Sequence, residues 1–568
     1  MTASVPSAPA GVNDSSDRSL LAAFAAHARD RGDRDAIRFL ARGEAVTECC
    51  SYAALFAETE AIARGLVGRG LAGAPVVLAM AAGPRFAATF LGCLRAGAVA
   101  VTVPYPALGQ NRVRFAAILA DAMPAAAVTV DAERPPDLPD GTLHLSLDEL
   151  VRDDTASLPP EPAADAPAMV QYSSGSTRAP RGVVVTHGNI AAAQRMLWAA
   201  ARTGPDSVTV SWLPPFHDMG LMASILHPLF LGGTAVLMPP DAFLRQPLRW
   251  LRAISTHRAT YAGAPNFGYE LCVRRSGPTS SDDIDLTSLR TTFCGSEPVR
   301  AATLHSFAER FRGNGFDPRS LMACYGLAEA TLPVAATPQG TGIREVEIGR
   351  LDSGNVPLSR VSCGHVVSGC TVVLRPTEPG GAPSAAPVGE ICVAGPHVSP
   401  GTWGGATRTV LPYADAFTGA SGERFLPTGD VGMLVDGELV IVDRIKDTIA
   451  IYGRKLHALD VEETVLGEKD ANVVAAAAFS VPVDGREALA VLCELRAADL
   501  SAAAATDLPQ RLRALVGDRH GAVPIVGILP YGALPRTSSG KIQRQRARAL
   551  FAAGELRVTA SSEREVAA

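Results

Sequence analysis

The sequence predicts an α/β protein. A large N-terminal domain carries two helix-covered sheets and a smaller β subdomain, and a small α+β domain follows at the C-terminus. Three observations predict this. From Leu20 to about residue 330, helical apolar periodicity alternates with short apolar runs, the pattern of βαβ units. From Gly389 the texture turns to β, with Asp436-Gly437 as a hairpin turn inside Met433–Val442. Past Arg444 a compact α/β segment follows, which puts a boundary at Asp443–Lys446.

In chain order, residues 1–18 are small and polar and read as disordered. Helices are expected at Leu20–Ala28 and Tyr52–Val67, then a strand at Pro75–Met80. Between them, Gly68-Arg-Gly70-Leu-Ala-Gly73 has the letters of a dinucleotide fingerprint. It follows a helix and precedes a strand, the reverse of what that motif needs, so it reads as a helix C-cap and turn. Helix Arg85–Ala96, ended by Gly97, leads to strand Ala98–Val103; helix Arg112–Asp121 leads to strand Ala125–Val130. Strand Val183–Val185 precedes a helix capped by Asn189 and running to Arg202. Strands at Ser207–Trp212, Gly233–Met238, Ala262–Ala264 and Leu289–Cys294, and one before Ala323, then empty into short polar loops, as open α/β sheets do around a ligand crevice. The strand Val388–Ala394 opens the β part. A large domain over 19–443, a small one over 444–552 and a loose tail over 553–568 complete the division.

Composition narrows the class. With 47% hydrophobic and 19% charged residues, 568 residues can bury a sizeable core. A net charge of −5 gives no overall basic footprint for nucleic acid. The ten cysteines form no C-x-x-C pair or His/Cys cluster, so they read as core residues in a reducing compartment. The small, polar first eighteen residues lead us to expect no signal peptide, and the nearest candidate for a transmembrane run, Phe90–Val103, is interrupted by Arg95. A cytoplasmic protein without stable membrane insertion is expected.

The densest chemical signal is Gln171–Asn189, QYSSGSTRAPRGVVVTHGN. Ser173, Ser174, Gly175, Ser176 and Thr177 supply hydroxyls and approachable backbone N–H groups, and Arg178 and Arg181 add charge, which together suit a phosphate. The Walker spacing is absent. Alone, the stretch is equally an ordinary surface turn. Further along, His217 and Asp218 break from a strand end in a Pro-punctuated loop, where they present side chains or merely cap the next helix. Gly295-Ser296-Glu297-Pro298, Tyr325-Gly326-Leu-Ala-Glu329, Thr428-Gly-Asp430 and Arg536-Thr-Ser-Ser-Gly540-Lys541 follow.

In order and spacing these six motifs resemble the adenylate-forming superfamily of acyl and aryl ligases and adenylation domains, over roughly residues 20–550. The wording is most similar to fatty acyl-AMP ligases: Trp212-Leu-Pro-Pro-Phe-His-Asp-Met-Gly-Leu, Ala264-Pro-Asn266-Phe, Tyr325-Gly-Leu-Ala-Glu-Ala-Thr and Val361-Ser-Cys-Gly. The resemblance implies ATP and Mg²⁺ as cofactors, a fatty acid substrate and an acyl carrier protein, supplied in trans, as acceptor. It implies that the Ser173–Thr177 loop holds the β- and γ-phosphates, that Tyr325 stacks on adenine beside Gly295–Pro298, and that Glu329 helps hold Mg²⁺. Asp430, assisted by Arg444, takes the ribose hydroxyls. His217, with Asp218 and Asn266, lies by the substrate carboxylate. Lys541 rides on a mobile small domain hinged at Lys446 and bridges carboxylate and α-phosphate. Thr341–Arg360 stands where these ligases carry an insertion that hinders coenzyme A, and it is short. Arg181 replaces the usual lysine of the phosphate loop, and the two are not interchangeable. Lys455–Val461 departs from the usual His-Tyr-Pro wording, which bears on carrier docking.

The chemistry explains the residue types. A carboxylate attacks the α-phosphorus while pyrophosphate departs, so two anions must be held together by fixed positive charge and donors. Rival readings are an acyl- or aryl-coenzyme A ligase, and a non-catalytic nucleotide- or acyl-binding protein on a ligase fold. An amino-acid adenylation domain fits less well, because Phe216-His217-Asp218 replaces its Phe-Asp signature. Gly204-Pro-Asp-Ser207 imitates a carrier attachment sequence, without a carrier-sized domain around it.

Overall fold

The computed structural model describes residues 18–105, 110–131, 133–135, 137–152, 156–172, 180–277, 283–351, 356–376, 388–451, 454–468, 471–483, 486–496, 499, 507–537 and 540–562. The Ser173–Thr177 loop and residues 1–17 lie outside them.

Two large sheets form the N-terminal part. In the first, strands Ala126–Thr129, Pro75–Leu78, Val99–Thr102 and Pro167–Tyr172 run parallel, and Gly182–Thr186 turns back antiparallel. Their side chains are buried on both faces, which is why the sequence shows apolar runs and not alternation. The second sheet has a parallel half: Asp35–Phe39, Thr234–Leu237, Val208–Ser211, Tyr261–Ala264, Thr291–Cys294 and Leu321–Leu327. Helix Pro84–Ala96 lies between the sheets, buried on nearly every side, and Gly97 ends it in the left-handed region at φ 71°. One core cluster joins Val76 and Leu78 of the first sheet to Ile37 and Leu237 of the second through Phe86 and Phe90.

The β subdomain is not separate. Strand Leu321–Leu327 pairs antiparallel with Leu332–Ala336, and the sheet continues through Val356–Val366, Glu438–Arg444, Arg424–Val435, Val388–Ala394 and Thr371–Arg375. Asp436 and Gly437, both at positive φ, make the expected turn. Residues 345–351 and 356–360 of the inserted stretch, with Val361 just beyond it, form the two arms of an antiparallel pair.

Past the turn Ile445–Asp447, strands Ala475–Val483, Arg486–Leu495 and Ile525–Pro530 form a separate sheet with its own cores. The tail expected to be loose after Ala552 is in part ordered. Ala560–Ser561 pairs with Gly527–Ile528, and Leu556 and Val558 pack on the core beneath. So short a strand carries no periodicity of its own, and only the exposed edge of Ile525–Pro530 recruits it. Asn189 is likewise not the cap. Thr186 caps helix His187–Ala201, and Asn189 answers from the third position of a capping box. Its amide also donates to the carbonyls of Pro396 and Val398 at 2.8 and 3.1 Å, tying the first sheet to the β part.

Candidate active site

The parallel strands of the second sheet end at one crevice. Ser211 leads into His217-Asp218, Ala264 into Asn266, and Cys294 into Ser296-Glu297-Pro298. The crevice opens into a cavity of about 820 Å³, bordered by those residues, by Tyr325, Gly326 and Glu329, by Asp430, Arg444 and Lys446, and by Thr537, Gly540 and Lys541 of the small domain. Tyr172 and Arg181, on either side of the Ser173–Thr177 loop, border it too. Part of the wall is apolar: Leu197, Ala201, Ala223, Tyr261, Phe293 and Met322.

Asp430 organises one side. Tyr325 Oη donates to its Oδ2 at 2.7 Å, and Arg444 Nε donates to its Oδ1 at 2.7 Å. Asp430 and Arg444 are direct partners across a hairpin, so the pair is fixed by register. Arg444 is half-exposed because it faces the void. Tyr325 and Gly326 sit inside strand Leu321–Leu327 and not in a loop after it. Gly295 has no space for a side chain: a Cβ there would lie 2.7 Å from Cys324 Sγ. Ser296 takes a left-handed φ of 72°, a strained conformation for a side-chain-bearing residue at a functional loop.

Asn266 borders the cavity, but its amide is engaged. Its Oδ1 accepts from Arg300 N at 3.0 Å and its Nδ2 donates to Thr303 Oγ1 at 3.1 Å. These bonds anchor the strand-end loop at the cavity wall. Glu297 Oε1 accepts from Phe267 N at 2.8 Å, and burial pushes its carboxyl up.

Lys541 reaches the cavity on a tight turn. Thr537 N donates to Lys541 O at 2.7 Å, and Lys541 N donates back to Thr537 Oγ1 at 3.1 Å. Gly540, at φ 85°, abuts the Phe267 ring of the large domain; a Cβ there would lie 3.0 Å from it. Burial holds the Lys541 ammonium below its ordinary value of 10.5, with Asp218 pulling the other way. His217 is held well below the ordinary histidine value by burial, then by the Arg114 and Lys541 charges, so its ring is neutral at pH 7. Asp218 is pushed up by burial, against the pull of Lys541. Burial, with the nearby Asp218 and Asp430, raises Glu329. Lys446 does more than mark the turn. Its side chain borders the cavity, and its carbonyl accepts from Gln545 Nε2 at 3.0 Å.

Three positions to which the sequence assigned no role make contacts at the site. Arg114 Nη2 donates to Tyr172 O at 3.0 Å, while Tyr172 Oη donates to Asp121 Oδ2 at 2.7 Å, so one helix grips the root of the Ser173–Thr177 loop. Gln171 Nε2 donates to Phe216 O at 2.5 Å, joining that root to the His217 loop. Arg360 is the third. None lies in a motif, and only folding brings them to the site.

A family model described as AMP-binding enzyme matches residues 24–403. The chain is 34% identical to the medium-chain-fatty-acid–[acyl-carrier-protein] ligase JamA of Moorena producens (strain JHB), over 92% of this chain and 93% of that protein. It is 34% identical to the putative fatty-acid–CoA ligase FadD21 of Mycobacterium tuberculosis (strain H37Rv), over 88% and 91%. A solved structure from structural and functional studies of fatty acyl-adenylate ligases from E. coli and L. pneumophila superposes with a TM-score of 0.82 at 30% identity. It covers 95% of this chain and 99% of that one.

Proposed function

The chain belongs to the AMP-binding enzyme family, and from that premise we propose that it joins a fatty acid to AMP and then passes the acyl group to the phosphopantetheine thiol of an acyl carrier protein. It is an adenylate-forming ligase. The observation that carries the reading is the meeting of three features in one cavity: the Tyr325–Asp430–Arg444 group, an apolar wall, and Lys541 delivered from the small domain.

In the proposed first step, a carboxylate oxygen bonds to the α-phosphorus of ATP and the bond to pyrophosphate breaks. The chain's part is to neutralise and position. Asp430 accepts from the ribose hydroxyls, and Tyr325 stacks on the base. Lys541 donates to the carboxylate and the α-phosphate, while neutral His217 orients the carboxylate without adding charge. Glu329 suits Mg²⁺: it is one enclosed carboxylate whose ionisation is disfavoured by burial and acidic neighbours, with phosphate oxygens available as further ligands. Bound there, the ion would neutralise polyphosphate charge. The apolar wall receives the acyl chain, each buried methylene contributing about 0.8 kcal/mol.

The test is to supply enzyme and ATP with a panel of carboxylic acids, scoring acyl-adenylate, carrier-bound acyl group and acyl-coenzyme A separately by mass spectrometry. No acid-dependent adenylate would refute the proposal. Coenzyme A as the preferred acceptor would replace the carrier by the second reading, which the likeness to FadD21 favours.

Two further outcomes follow from the geometry. Asp430→Asn removes the charge that holds Arg444 while leaving one acceptor oxygen. Loss of a charge-assisted hydrogen bond, about 1.5–3 kcal/mol, should raise the KM for ATP more than it lowers kcat; steady-state kinetics at varied ATP checks this. The second outcome concerns pH. Lys541 works as the ammonium, and burial lowers its pKa in the free enzyme. The kcat/KM profile should therefore fall as pH rises, on a limb placed below the ordinary lysine value of 10.5 and absent from Lys541→Ala.

A further inference from the structure

Resting on the adenylation reading, we propose that Arg360 is a latch: a large-domain arginine that holds the small domain where Lys541 enters the site. Arg360 lies on strand Val356–Val366, at the end of the inserted stretch, and its side chain is only 5% exposed. Its Nη2 donates to Asp460 Oδ1, and its Nη1 donates to Glu463 Oε2 at 2.7 Å and to its neighbour's carbonyl, Ser359 O, at 3.1 Å. Asp460 and Glu463 stand three apart on helix Ala458–Leu466, so both carboxylates leave one helix face. That helix lies beyond the Ile445–Asp447 turn and belongs to the small domain's own core through Val461 and Val465.

A second contact crosses the same turn, His457 Nδ1 to Asp443 Oδ2 at 3.0 Å. Arg300, just past the Gly295–Pro298 loop, places further positive charge near Glu463. The small domain holds itself together by other means: two apolar cores, Arg536 on Glu494, and Arg544 on Glu462 and Asp447. Arg360 therefore adds little to the fold of either domain and acts on their relative position. The arginine fork can serve both carboxylates at once, which a lysine does less well. Attraction inside a buried ion pair nearly balances lost hydration. Such a contact aligns the small domain yet releases it once water can enter, which suits an element that must move between adenylation and transfer.

The test compares wild type, Arg360→Gln, Arg360→Lys, Asp460→Asn and the Arg360→Gln/Asp460→Asn double variant. ATP–pyrophosphate exchange is measured with an accepted fatty acid, together with KM for ATP and thermal unfolding. Arg360→Gln should lower the exchange kcat about tenfold, with KM for ATP little changed because Tyr325, Asp430 and Arg444, proposed to bind the nucleoside, all sit on strands of the large sheet. Arg360→Lys should restore part of the rate. The double variant should be no slower than Arg360→Gln, since both changes remove one contact. An undiminished kcat in Arg360→Gln overturns the latch. So do additive losses in the double variant, or kcat, KM and unfolding temperature all falling together. A wild type showing no fatty-acid-dependent exchange would refute the adenylation reading itself, which separates the two failures.

Discussion

Lys541→Ala should lower the rate of acyl-adenylate formation by about 10²–10³, the loss of about 3–4 kcal/mol typical of one preorganised charged donor. The Lys541 backbone is held by its Thr537 turn, the adjoining Gly540 abuts the Phe267 ring, and the ammonium feels the charges of Asp218 and Glu297. Binding of ATP should change little, because Tyr325 and Asp430 belong to the large domain and Arg444, though past residue 443, ends a strand of its sheet and pairs with Asp430. Acyl transfer from a preformed adenylate should persist, because in the proposed cycle the small domain is withdrawn for that step. Pyrophosphate release with each fatty acid, set against single-turnover transfer from supplied acyl-adenylate, separates the two steps. Adenylation at the wild-type rate would remove Lys541 from the reaction.

Gly326→Ala should be the most damaging single methyl in the site. Its Cβ would overlap the carbonyl oxygen of Leu332, a backbone atom of the adjoining strand, so no flexible side chain can move aside. Overpacking costs about 1–3 kcal/mol where side chains can adjust, and here the backbone must. Because Tyr325 is the preceding residue, the strand shift moves the ring that Asp430 orients. A displacement of about 1 Å is enough to lower the rate about 10²-fold. Thermal unfolding and pyrophosphate release should both fall. Gly204→Ala, where nothing lies within 4 Å, is the matched control and should leave both unchanged.

Most of the site's membership was legible in the sequence because the groups sit at strand ends, where apolar runs stop and short polar words begin. Ser211 before His217-Asp218 and Cys294 before Ser296-Glu297 are examples. For Asn266 the motif gave the position at the cavity, while its amide's partners, Arg300 and Thr303, came only from the fold. Lys446 was read only as a hinge, yet it also borders the cavity. The final strand at Ala560–Ser561 was invisible because its pairing comes from a neighbour's open edge and not from its own pattern.

By itself the sequence determined which elements form and which chemistry their ends can carry, since apolar periodicity and short polar motifs are local properties of the chain. The tertiary structure alone decided that the β subdomain continues one of the large sheets, and that Arg114 and Gln171 brace the root of the Ser173–Thr177 loop. It also decided that Arg360 meets Asp460 and Glu463 across the Ile445–Asp447 turn. These side-chain contacts join residues 45 to 103 positions apart. A side chain's partner at such separations is set by how layers pack, and no local pattern encodes it.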